Sequence, residues 1–108
     1  MQKVIYLLML MGLLWAAPVE AHKVNLFAYV EGGQIYAESY FPDGRPIKQA
    51  VVEVYTLDEQ LLLQGMTDDE GRYNCVIPKF VDLKLVVRAS MGHQTSFSIN
   101  RAELELGR

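Results

Sequence analysis

The feature that most constrains the fold of this chain is a series of short segments in which side chains alternate between two faces. In residues 24–30, for example, Val24 and Leu26 fall on one face, and Asn25 and Phe27 on the other. A period of two is typical of a β-strand, whereas an amphipathic helix repeats every 3.6 residues. Turn-forming residues separate seven alternating or continuously apolar segments: 22–30, 35–41, 50–56, 61–66, 72–77, 83–89 and 94–99. The pattern predicts an all-β fold, a seven-stranded antiparallel β-sandwich of the transthyretin or immunoglobulin type.

The start of the chain has a different composition from the rest. Lys3 and the free amine make a positive beginning, residues 4–17 are uncharged and apolar, and Pro18 ends the run. The run of about 14 residues falls within the range of about 7–15 for a signal peptide, and it is shorter than the roughly 20 residues that span a bilayer. The sequence therefore predicts a signal peptide and a periplasmic or otherwise exported protein.

Small residues mark the expected cleavage site. Val19 and Ala21 occupy the −3 and −1 positions before His22, which predicts cleavage between Ala21 and His22. An uncleaved amino-terminal anchor is the alternative. The predicted organisation is a signal peptide at 1–21, a β-sandwich domain at 22–100 and a polar tail at 101–108 that forms a short, frayed helix. The mature protein would have 108 − 21 = 87 residues and would begin with a histidine.

The number of strands predicts which residues share an end of the sandwich. If each strand reverses the one before it, the start of strand one lies at the same end as the turns after strands two, four and six. Both histidines of the chain then fall at this end. The residues expected there are His22, Asp43, Asp68, Asp69, Glu70, Met91 and His93.

Part of the chain resembles a known module. The stretch from Glu38 to Val76 contains an Asp-Gly-Arg-Pro-Ile turn at 43–47, an Ala-Val-Val-Glu-Val strand at 50–54 and a Thr-Asp-Asp-Glu-Gly-Arg-Tyr segment at 67–73. These motifs resemble the carboxypeptidase regulatory-like, transthyretin-type module. The resemblance implies a β-sandwich, but it does not indicate a function, because such modules serve as spacers and as binding domains.

A second resemblance covers essentially the whole predicted mature chain. It is carried by the start Ala-His-Lys-Val-Asn-Leu-Phe-Ala at 21–28, by Glu-Ser-Tyr-Phe at 38–41 and by Met-Gly-His at 91–93. This combination is similar to a small exported component of energy-coupling-factor type nickel/cobalt importers, which begins with histidine after signal removal and keeps a Gly-His turn. The resemblance implies nickel or cobalt as the ligand and membrane components of an importer as partners. No transmembrane segment is expected after removal of the signal peptide.

An amino-terminal histidine is also a chelator in its own right. The α-amine and imidazole Nδ1 of His22 can close a ring on a metal, and His93 can add a third nitrogen. The ordinary pKa is about 7.7–8.0 for an α-amine and about 6.5 for an imidazole. A metal can therefore displace the proton of each group at neutral pH. Nitrogen donors suit Ni(II) or Cu(II). The predicted metal ligands are His22 and His93, with Asp43, Asp68 and Asp69 as weaker carboxylate candidates and Met91 as a soft one for Cu(I).

Charge and motifs exclude several other functions. The net charge of −3 without a basic cluster disfavours nucleic acid as a partner. We find no catalytic serine arrangement, no His-Glu-x-x-His and no glycine-rich phosphate loop, so we expect no enzyme. The single cysteine, Cys75, cannot form an internal disulfide, and we expect it to be a small core residue.

Other interpretations remain open. A solvated turn histidine is the ordinary explanation for His93, and the protein would then be a non-catalytic structural or interaction module of the cell envelope. A copper-binding periplasmic protein is a weaker alternative. A copper-dependent oxidative enzyme and a transthyretin-like hydrolase have the least support, since no further catalytic group is evident. The aromatic residues that could form a binding face, or could instead cover the core and its edge, are Phe27, Tyr29, Tyr36, Tyr40 and Phe41.

Overall fold

The structure, a computed structural model, describes residues 24–108. The elements are β1 (Asn25–Glu31), β2 (Gln34–Tyr40), β3 (Val51–Thr56), β4 (Leu61–Met66), β5 (Arg72–Val76), β6 (Leu83–Arg88), β7 (Gln94–Ile99) and helix α1 (Arg101–Leu106). One antiparallel sheet has the order β1-β2-β5 and the other the order β4-β3-β6-β7. The prediction of an all-β, seven-stranded sandwich is therefore confirmed. The predicted signal peptide at 1–21 and the candidate ligand His22 lie outside the described residues.

Strand β2 shows how the alternating pattern produces the two faces of a sheet. Ile35, Ala37 and Ser39 are buried, and the residues between them are partly exposed. Ser39 is polar and yet fully buried, because its hydroxyl donates a 2.8 Å hydrogen bond to the carbonyl oxygen of Asn25 on β1. A buried hydroxyl with a partner avoids the cost of desolvation without compensation.

The core consists of two groups of buried side chains. The larger, the main cluster, contains Ala28, Ile35, Ala37, Val54, Ile77, Leu83, Leu85, Ile99 and Leu104. The smaller, the end cluster, contains Val24, Ile47, Ala50, Val52 and Val87. Full burial of an aliphatic side chain of this size contributes about 1.5–3 kcal/mol relative to exposure. Cys75 is partly buried and packs against the main cluster, and burial raises the pKa of its thiol.

The C-terminal segment differs from the frayed tail expected from its polar composition. Asn100 caps helix α1 by accepting a 2.8 Å hydrogen bond from the N–H of Glu103. Leu104 is fully buried in the main cluster, and the carbonyl oxygen of Gly107 accepts a 2.8 Å hydrogen bond from the N–H of Gly33. The helix therefore packs onto the sandwich next to the β1–β2 turn. Among residues 24–108, no helix has both the length and the apolar character needed to cross a membrane.

Candidate metal site

The loops after β2, β4 and β6 meet at one end of the sandwich, as the strand count predicts. The N–H of Gln49, in the β2–β3 loop, donates a 3.1 Å hydrogen bond to the carbonyl oxygen of Thr67, in the β4–β5 loop. Val24, just before β1, is buried in the end cluster beside Ile47 and Val87. The start of β1 and the three loops thus share one end.

Two of the predicted site residues line the same cleft at this end. The cleft has a volume of about 310 Å³ and is lined by Phe41, Pro42, Asp43, Arg45 and His93. Asp43 belongs to the β2–β3 loop, whereas His93 follows the short 3₁₀ turn Ser90–Gly92 after β6. The fold therefore brings together an imidazole and a carboxylate that are 50 positions apart in the chain (93 − 43).

The turn before His93 orients its imidazole ring. Met91 and Gly92 both have left-handed backbone conformations, with φ of 61° and 75°. The chain then returns so that His93 Nδ1 lies 3.0 Å from the carbonyl oxygen of Ser90. Because a carbonyl oxygen can only accept, Nδ1 must donate, and the neutral ring then carries its lone pair on Nε2. A backbone carbonyl bound to one ring nitrogen is a common arrangement for a metal-binding histidine, in which the other nitrogen is the ligand.

Asp43 is held by a neighbouring cation. Its Oδ1 accepts a 3.0 Å hydrogen bond from the N–H of Arg45, and its Oδ2 lies 2.6 Å from Nε of the same arginine. The Arg45 guanidinium also lies over the ring of Phe41, 5.1 Å from its centroid. The hydrogen bond from the Arg45 backbone N–H, followed by that from its side chain, lowers the pKa of Asp43. The carboxylate is therefore ionised at neutral pH.

The carboxylates of the β4–β5 loop have structural partners. Asp68 Oδ1 accepts hydrogen bonds from the N–H groups of Glu70 (2.8 Å) and Arg72 (2.9 Å), and these bonds lower its pKa, with that from Arg72 the larger cause. Asp69 Oδ1 accepts a 2.8 Å bond from Gln49 Nε2. The hydrogen bonds of Asp68 close the turn before β5, and that of Asp69 ties this loop to the β2–β3 loop.

Of the two remaining predicted site residues, the structure describes Met91 but not His22. Met91 is 92% exposed at the tip of its turn. His22 lies outside the described part of the chain, two positions before the buried Val24. Within residues 24–108, no group of three or more histidine, cysteine or acidic side chains is arranged to hold a metal ion.

Sequence reasoning missed two residues of this region. Arg45 was expected only as part of a turn, although its spacing of two from Asp43 is a signal for an ion pair across that turn. Ser90 carries no such signal, because its contribution is a main-chain carbonyl oxygen whose direction depends on the left-handed Met91.

A second exposed feature lies on the outer face of the three-stranded sheet. Phe27 is 56% exposed and Tyr29 42% exposed. Tyr29 stacks on Tyr36 with 5.2 Å between ring centroids, and Phe27 meets Phe97 edge to face at 5.9 Å. Phe27 and Tyr29 thus do not cover the core, whereas Phe41 packs against the end cluster. We call Phe27, Tyr29 and Tyr36 the aromatic face.

Comparisons with known proteins provide one relative. An uncharacterized protein of Haemophilus influenzae is 28% identical over 99 residues, which cover 89% of this chain and 62% of that protein. The chain thus spans less than two thirds of the length of this curated relative. No protein-family model and no solved structure matches the chain.

Proposed function

We propose that this chain is an exported, non-enzymatic accessory protein that captures a divalent transition metal, nickel or cobalt, for an importer in the membrane. The α-amine and imidazole of His22 and the imidazole of His93 are the nitrogen donors, and copper is the alternative metal. Asp43 or water completes the coordination. The observation that carries the proposal is that His93, with its Nδ1 bound to the Ser90 carbonyl oxygen, lines the same cleft as the ionised Asp43.

Chain geometry supports a contribution from His22. Val24 is 5% exposed and packs in the end cluster with Val87, on the strand that leads to the His93 turn. Two peptide units join Val24 to His22, and they reach at most about 7 Å. We therefore propose that His22 stays at this end of the sandwich, within reach of a metal ion on His93. An open position there suits capture and transfer of an ion, because the ion can leave by the way it entered.

Calorimetric titration with Ni(II), Co(II) and Cu(II) tests this function on the protein that begins at His22. Mass spectrometry of the exported protein first establishes that His22 is the amino-terminal residue. We expect binding of one ion per chain and a loss of at least about tenfold in affinity in His93→Gln, which keeps a polar side chain but removes the imidazole. Absence of binding, or unchanged affinity in His93→Gln, would contradict the proposal.

The aromatic face favours a second candidate function. Phe27 and Tyr29 expose large apolar rings on a sheet surface, and such rings are enriched at protein interfaces. The chain would then be an interaction module of the cell envelope without a metal. Recovery of an envelope complex that is lost in Phe27→Ser/Tyr29→Ser, together with no metal binding, would favour this function over the first.

A further inference from the structure

Among the described residues that line the cleft with His93, Asp43 is the one carboxylate, and it is already paired with the guanidinium of Arg45. Asp43 Oδ1 accepts the Arg45 N–H at 3.0 Å, and Asp43 Oδ2 lies 2.6 Å from Arg45 Nε. Both carboxylate oxygens thus contact the same arginine. A metal ion on Nε2 of His93 would compete with the guanidinium for Oδ2, and it gains this oxygen fully when the guanidinium moves away.

The surroundings of Arg45 make this movement feasible. The side chains of Arg45 and Asp43 are 73% and 55% exposed, and an ion pair so open to water is weak. The guanidinium is also held over Phe41, 5.1 Å from the ring centroid. A cation can rest on an aromatic face without a carboxylate. The guanidinium can therefore leave Asp43 and still stay over Phe41 within the cleft.

We infer that Arg45 is a competing internal cation that controls whether Asp43 becomes a ligand of the proposed metal site. A divalent ion bound to His93 displaces the guanidinium from Oδ2, so that a contact between Asp43 and the metal replaces the contact between Asp43 and Arg45. Arg45 thereby weakens binding and disfavours monovalent ions, which have less charge with which to compete for the carboxylate. This inference rests on the proposed function and adds a residue that determines affinity and selectivity.

A double-mutant cycle on the protein that begins at His22 tests the inference. We expect Arg45→Gln to bind Ni(II) roughly three- to tenfold more tightly than the wild type, since Asp43 is then released. Asp43→Asn should remove this gain, so that Arg45→Gln/Asp43→Asn binds no more tightly than Asp43→Asn alone. Lys48→Gln is the matched control, because it removes one positive charge from the same loop without touching Asp43; we expect a change below about twofold.

The outcomes separate this inference from the proposed function. If Ni(II) does not bind the wild type, or if binding is independent of His93, the proposed function fails. If Ni(II) binds through His93 but Arg45→Gln is unchanged, the inference alone fails. It also fails if the gain persists beside Asp43→Asn, because the effect of Arg45 would then be a general repulsion of cations. Thermal unfolding of each variant shows whether a lost affinity reflects a lost fold.

Discussion

The hydroxyl of Thr67 donates a 2.7 Å hydrogen bond to the carbonyl oxygen of Ile47 and accepts one of 2.9 Å from the N–H of Ala50. Thr67 is 3% exposed, so these bonds lie inside the protein, between the β2–β3 and β4–β5 loops. One side chain thus connects the loop that contains Asp43 to the loop that contains Asp69. The alternation in the sequence predicts a strand that begins at Ala50, whereas β3 begins at Val51. The hydrogen bond to Thr67 explains the difference, because it binds the N–H of Ala50 to a side chain.

Replacing Thr67 by valine should destabilise the protein. Valine has nearly the same shape, but it leaves the buried N–H of Ala50 and carbonyl oxygen of Ile47 without this partner. The expected loss in the free energy of unfolding is about 1–3 kcal/mol, measured by urea denaturation. Thr67→Ser keeps the hydroxyl and is the control. A Thr67→Val protein as stable as Thr67→Ser would show that the hydroxyl does not stabilise these loops.

Gly71 is predicted to tolerate no side chain. Its φ of 75° lies in the left-handed region, and a Cβ there would lie 2.5 Å from the carbonyl oxygen of Ser39. We expect Gly71→Ala to lower the free energy of unfolding by about 2 kcal/mol or more. Gly32 also has a positive φ, of 58°, but a Cβ there would meet no atom within 4 Å. Gly32→Ala therefore measures only the cost of a left-handed backbone conformation, about 1 kcal/mol in the free energy of unfolding. Equal losses of this free energy in the two variants would refute the steric crowding at Gly71.

The acid stability of the protein should depend on Glu53. This residue is 8% exposed; it accepts a hydrogen bond from Arg88 Nε and one of 2.8 Å from the Tyr55 hydroxyl. The bond from Arg88, followed by that from Tyr55, lowers the pKa of Glu53 below its ordinary value of 4.5. For a carboxyl whose pKa is lowered by folding, the stabilisation is complete above the ordinary pKa and is lost as pH falls through the folded pKa.

Urea denaturation between about pH 6 and about pH 3 measures this contribution. Wild-type protein should be more stable than Glu53→Gln at the upper end of the range. The difference should narrow as pH falls below 4.5, since the glutamate then becomes neutral as well. A difference that stays constant over the whole range would mean that the charge of Glu53 does not stabilise the fold.

The tautomer of His93 is a further prediction. The contact of Nδ1 with the Ser90 carbonyl oxygen requires the proton of the neutral ring to be on Nδ1. Long-range ¹H–¹⁵N spectra at a pH where His93 is neutral should show a protonated Nδ1 and an unprotonated Nε2. Addition of diamagnetic Zn(II), as a stand-in for nickel, should then shift the Nε2 resonance the most. Protonation on Nε2 would contradict the ligand geometry proposed for this residue.

The strands and the shared end were predictable because they follow from local patterns. The alternation of apolar and polar residues around Val24 and around Val52 depends only on which side chains point inward. The antiparallel order of the strands then places the loops of Asp43 and His93 at the same end. The strands follow from the two-residue repeat, and the shared end follows from the number of strands.

Contacts that depend on register or on one side chain could not be predicted. Glu53 and Arg88 are 35 positions apart, and they meet because β3 pairs with β6. Leu104 belongs to a short polar segment with too few apolar residues to show a helical period, yet its burial anchors α1. The position of Arg45 on Asp43 likewise depends on how the turn closes.

The most direct test of the proposed function is a calorimetric comparison of Ni(II) binding by two proteins that differ at the amino terminus. One begins at His22, and the other has a single alanine before it. The added residue moves the α-amine from His22 and so removes the ring that it forms with the His22 imidazole, while the fold and His93 stay unchanged. We predict at least about a tenfold loss of affinity in the extended protein. Equal affinities would contradict the claim that His22 binds the metal with its own amine.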